Sequence, residues 1–132
     1  LLKIDECVKK HKNFIDHEEY HLAWSIKNYI DAHYHEPLTL SEIAAAIKIN
    51  ECYLVHIFKA VVGYSPIQYI TRRRIGEAQT LLINTRLSIT DISLQMGYNN
   101  SSYFHKVFSK VVGISPSQYR KSWKRIHGEG SE

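Results

Sequence analysis

Residues 53–69 read YLVHIFKAVVGYSPIQY and residues 103–119 read YFHKVFSKVVGISPSQY, matching at nine of seventeen positions without a gap. The chain carries one module twice. The upstream halves correspond too, LTLSEIAAAIKIN at 38–50 against LSITDISLQMGYNN at 87–100, once the second copy is allowed one extra residue. A unit of about 33 residues is near the period of helical solenoids, but a solenoid needs roughly three repeats to bury a continuous core. Two copies separated by a helical stretch imply two similar working parts instead.

Each copy is predicted to be a short helix, a tight turn and a longer second helix. Thr39-x-x-Glu42 is a capping box, and Ser88-x-x-Asp91 is its shorter-acid analogue, so each first helix has a marked start. Asn50 and Asn100 suit the N-cap of each second helix. Gly63 and Gly113 stand where a left-handed C-terminal residue is wanted. Ser65-Pro66-x-Gln68 and Ser115-Pro116-x-Gln118 then open new helices with Pro at the first helical position. No stretch alternates with period two, so no sheet is expected. Upstream, Leu22, Trp24, Ile26, Tyr29 and Ile30 give a helix with Trp24 in the core, stopped by Pro37. Between the copies, residues 66–83 form a linking helix of about 27 Å, with Ile67, Ile70, Ile75, Ala78, Leu81 and Leu82 available for burial.

Within the second helices one stripe is apolar: Leu54, Ile57, Phe58, Val61 and Val62, and its counterpart Phe104, Val107, Phe108, Val111 and Val112. The opposite stripes carry Glu51, Cys52, Val55, His56 and Lys59 in one copy and Ser101, Ser102, His105, Lys106 and Ser109 in the other. Charge agrees with a role for those faces. Residues 53–125 hold eleven Lys/Arg against two acids, a net +9, while residues 1–52 carry −3 and the tail −2. A basic block of this kind is the electrostatic footprint of a nucleic-acid binder, because neutralised phosphates release counterions.

Other readings are excluded or ranked lower. The 132 residues, 44% of them hydrophobic, suit one compact domain or two very small ones. No run approaches 18 apolar residues and no leader pattern opens the chain, so a cytoplasmic address is expected. Cys7 and Cys52 lack CxxC spacing, so no disulfide framework, zinc site or other cofactor is expected. Leu1 in place of Met is expected of a piece of a longer protein. His17-Glu18-x-x-His21 formally matches a zinc-peptidase motif, but it stands at a helix start outside both copies. That metallopeptidase remains a remote alternative, and no catalytic or metal-binding residue is expected. His33-x-His35 reads as a polar helix end.

The paired motifs, the linking segment RRRIGEAQTLL and the stretch ITDISLQMGYNNSSYFHKVFSKVVGISPSQYR closely resemble the bipartite DNA-binding domain of AraC/XylS-type transcriptional regulators, over about residues 22–125. The resemblance implies an all-α, homeodomain-like architecture of about seven helices. Residues 1–17 would be a linker or N-terminal extension and 18–125 the DNA-binding domain, with helix-turn-helix motifs at about 39–62 and 88–112, and 126–132 a flexible tail. It implies double-stranded promoter DNA and RNA polymerase as partners, an effector-sensing domain elsewhere in a parent chain, and recognition helices in successive major grooves. A stand-alone small activator or DNA-bending protein of the same fold is the alternative. By position, Cys52, Val55 and His56 fall at base-reading places in the first motif, and Ser101, Ser102, His105 and Lys106 in the second. Lys59, Tyr69, Arg72, Lys110, Tyr119 and Arg120 are expected at phosphates. Relatives often place Arg or Gln where His56 and Lys106 stand, so no relative supplies the recognised sequence.

Overall fold

The computed structural model describes residues 16–126, and these contain seven α-helices and no strand. In chain order they are α1 (His17–His33), α2 (Leu40–Ile47), α3 (Glu51–Val62), α4 (Pro66–Asn84), α5 (Ile89–Gln95), α6 (Ser101–Val112) and α7 (Pro116–Ile126). The extension at 1–15 and the tail from 127 lie outside the described residues.

Local chemistry sets most helix ends. The Asp16 carboxylate accepts from the Glu19 amide while Glu19 accepts from the Asp16 amide, so two orphan donors of α1 are satisfied reciprocally. Thr39 and Glu42 do the same for α2. Ser88 caps α5 by accepting from the Asp91 amide at 3.0 Å. Ser65 with Gln68, and Ser115 with Gln118, form the same reciprocal pair at α4 and α7. α3 and α6 end on Gly63 and Gly113 at φ of 96° and 101°. A Cβ at either glycine would meet nothing within 4 Å, so the preference for Gly there is conformational rather than steric.

The chain divides into two compact units at Thr71 and Arg72, and α4 runs unbroken through that point. In the first unit Ile26, Ile30, Tyr34, Ile43, Leu54, Ile57, Phe58 and Ile70 form the core, contributed by α1, α2, α3 and the start of α4. In the second, Ile75, Ala78, Leu82, Ile92, Met96, Tyr98, Phe104 and Phe108 do so. Each unit is therefore a helix-turn-helix resting on its own portion of α4. Fully burying a side chain such as Phe58 or Phe108 contributes about 1.5–3 kcal/mol, so every member of these small clusters matters.

Several burial expectations are corrected. Trp24 is 41% exposed, lying under the Lys27 ammonium at 4.9 Å instead of in the core. Ile67 is 50% exposed and Val111 42%, so neither of these apolar residues is covered. Arg74 places its guanidinium over the Tyr98 ring at 5.4 Å.

Candidate nucleic-acid interface

α3 and α6 are the second helices of the two motifs, and both begin on an asparagine. The Asn50 side chain accepts from the Tyr53 amide at 2.8 Å, and Asn100 from the Tyr103 amide at 3.1 Å. The turn before each is left-handed at equivalent places, Lys48 at φ 69° and Gly97 at φ 90°. The apolar stripes are held inward by Leu54, Ile57 and Phe58 in α3 and by Phe104 and Phe108 in α6. The outward positions are thereby aimed by packing on the opposite side of each helix.

On α3, Glu51 and Lys59 are exposed, while Cys52, Val55 and His56 are half-buried. Val55 packs partly against the first core. Cys52 is disulfide-bonded, so it has no thiol to offer. The expectation of no disulfide framework is thereby corrected at Cys52. On α6, Ser102 and Lys106 are exposed and Ser101 and His105 half-buried. His105 Nδ1 lies 3.0 Å from the Ser101 carbonyl oxygen, one turn back.

The six residues expected at phosphates separate into two sets. Lys59, Arg72 and Lys110 are exposed on α3, α4 and α6. Tyr69, Tyr119 and Arg120 are half-buried and take part in packing. The Tyr69 hydroxyl donates to Asp31 at 2.7 Å, the Lys27 ammonium donates to the other Asp31 oxygen at 3.1 Å, and the Tyr69 ring stands edge-on to Phe58 at 5.5 Å. Burial, and then the Asp31 hydrogen bond, push the Tyr69 phenol above its ordinary value. Tyr119 repeats only the ring contact, edge-on to Phe108 at 5.7 Å. Arg120 donates from Nε to the Leu82 carbonyl at 2.9 Å and from a terminal nitrogen to the Thr85 carbonyl at 3.2 Å. It thus satisfies carbonyls at and just beyond the C-terminal turn of α4, where a cation also complements the helix dipole. Nothing local in the sequence marks that duty, since donor and acceptors lie 35 and 38 residues apart.

A groove of about 420 Å³ on the last helix, lined by Ile114, Gln118, Lys121, Ser122 and Arg125, matches no expectation from the sequence. The i, i+4 spacing of Lys121 and Arg125 was its only sequence sign. Elsewhere, His17 and His21 bring their Nε2 atoms within 3.1 Å of each other. Among the described residues no third His, Cys, Asp or Glu joins them in a group that could hold a metal ion. His33 pairs with Glu36 at 3.2 Å as part of the polar end of α1. Among the described residues no helix is long and apolar enough to cross a membrane.

Comparison with known proteins agrees with this geometry. Residues 43–122 match the helix-turn-helix domain family. The melibiose operon regulatory protein of Escherichia coli is 36% identical over 118 residues, which are 89% of this chain and 39% of that protein. The chain thus spans about two fifths of that relative's length. The C-terminal domain of AraT, a response regulator from Geobacillus stearothermophilus, superposes with a TM-score of 0.75 at 33% identity, covering 76% of this chain and 84% of that one. The DNA-binding domain of AdpA, solved in complex with a target DNA, has the same fold, with a TM-score of 0.75 at 21% identity over 79% of this chain and 94% of that one. Two capped helix-turn-helix motifs built on one long helix, matched in sequence through both copies, place this chain in the AraC/XylS-type family of DNA-binding domains.

Proposed function

We propose that this chain is the DNA-reading part of a longer transcription regulator, and that α3 and α6 each present outward residues to base edges in a major groove of duplex DNA. The observation that carries the reading is a contrast between the copies. Their asparagine N-caps, exit glycines and the buried Phe58 and Phe108 agree position by position, whereas their outward residues differ, as expected if scaffold is shared and sequence recognition is not. Val55 suits apolar contact such as a thymine methyl, and Lys106 suits guanine O6 and N7. Lys59, Arg72 and Lys110 supply exposed charge for phosphates, assisted by the amide-rich starts of α4 and α7. Arg120 and Tyr69 are assigned to holding the scaffold, and Cys52 no longer to hydrogen-bonded base reading. The greater length of the relatives supports an effector-sensing region elsewhere in the parent chain, with RNA polymerase as a further partner. No catalytic step is assigned.

The test is a titration of duplex binding against salt. With about five or six phosphates neutralised, the log–log slope of affinity should be about −5. A slope near zero would overturn the reading. Lys106→Ala should lose about 1–3 kcal/mol on the preferred duplex and relax its specificity, while Lys59→Ala should weaken all duplexes alike.

A further inference from the structure

His105 stands in the second turn of α6, half-buried, with its ring 6.2 Å from that of Phe104. Its Nδ1 is 3.0 Å from the Ser101 carbonyl oxygen. A carbonyl oxygen can only accept, so Nδ1 must carry the hydrogen. In a neutral imidazole that leaves Nε2 as a bare lone pair. The helix's own backbone thus selects one tautomer and gives the outward end of the ring a single hydrogen-bonding polarity.

We infer that His105 reads the amino group of a base, accepting from adenine N6 or cytosine N4 and disfavouring the keto oxygens of guanine and thymine. The inference rests on α6 being a DNA reader and adds what that reader distinguishes. In the major groove each base offers either an amino donor or a keto acceptor at the relevant edge, so an acceptor-only side chain divides A and C from G and T. The neighbouring serines cannot make this distinction, and Lys106 makes the opposite choice. Ser101 and Ser102 both donate and accept, so either base type satisfies them, and Lys106 only donates. His105 and Lys106 together therefore form an adjacent acceptor and donor, an amino reader beside a keto reader. At the equivalent position of the first copy Val55 has no hydrogen-bonding group.

The test is a selection from random duplexes at about pH 8, using wild-type protein, His105→Ala and His105→Lys. One position of the wild-type motif should be restricted to A or C by about five- to 150-fold, the range of one good side-chain-to-base pair. His105→Ala should flatten that position, and His105→Lys, a donor only, should turn it towards G or T. Nitrogen-15 NMR of the wild-type protein at the same pH reports the tautomer without any substitution and should show His105 protonated at Nδ1. A wild-type preference for G or T at the position that His105→Ala flattens, a motif that His105→Ala leaves unchanged, or a hydrogen on Nε2 would each overturn the inference while leaving DNA reading intact. Enrichment of no motif by the wild-type protein would instead count against the reading of α6 as a sequence reader.

Discussion

The two helix-turn-helix copies solve one folding problem with different residues, and the differences fall where each copy meets its surroundings. Asn50 and Asn100 cap their helices in the same way, Gly63 and Gly113 turn the chain within 5° of the same φ, and Phe58 and Phe108 meet Tyr69 and Tyr119 edge-on. One residue later the copies part. Ile70 is buried in the first core, whereas Arg120 reaches back to the carbonyls at the end of α4. Likewise Lys48 takes a left-handed conformation that Gly97 takes without strain, and Ala44 is buried where the second copy buries the Ser93 hydroxyl. Shared positions mark what the motif requires, and divergent ones mark what each copy adds.

The largest effect is expected at Arg120. Arg120→Met removes two charge-assisted hydrogen bonds from half-buried carbonyls and should destabilise the second unit by about 2–3 kcal/mol. Urea unfolding followed by hydrogen exchange would check it, and unchanged protection in α4 and α7 would show that the cap contributes nothing. Next comes the left-handed turn. Gly97→Ala should cost about 1–2 kcal/mol, whereas Lys48→Gly should stabilise the first copy by a somewhat smaller amount, since a left-handed non-glycine residue is strained by about that much. Thermal unfolding of the two variants with opposite signs would confirm that the turns are equivalent.

A smaller change is expected at Ser93, whose buried hydroxyl has no partner. Ser93→Ala, which copies Ala44, should stabilise by up to about 1 kcal/mol, and a measured loss would reveal a bond the hydroxyl makes. The smallest effect concerns alkaline pH. Tyr69 and Lys27 are both raised in the folded state, so their contribution is whole below about pH 10 and is lost as pH climbs through the raised values. Tyr69→Phe should therefore reduce the alkaline loss of melting temperature, and an identical pH profile would remove Tyr69 from the explanation.

Helix ends were legible because a cap is written within four residues: Asp91 follows Ser88 and Gln68 follows Ser65 at the spacing a side chain needs to reach the amide. Core membership was legible for Phe58, Phe104 and Phe108 and for most of the isoleucines assigned to it, and failed at Trp24, Ile67 and Val111. Periodicity says that a residue is apolar and roughly where it faces, but the width of the partner surface decides whether it is covered. The Asp31 bond of Tyr69 and the carbonyl contacts of Arg120 were not legible, because they join residues remote in sequence. The outward positions of α3 and α6 could be named from spacing. The tautomer of His105 could not, since it depends on which ring nitrogen meets the preceding turn.

The unlike outward faces of α3 and α6 have a consequence for the geometry of the genome. A regulator made from two identical readers related by a twofold axis recognises a palindrome and cannot tell left from right. On the function proposed above, the two readers differ and follow one another in fixed order along a single chain, so the matching stretch of duplex has a heading. Inverting it beside a gene presents the same base pairs with the opposite heading and points the bound protein away from that gene.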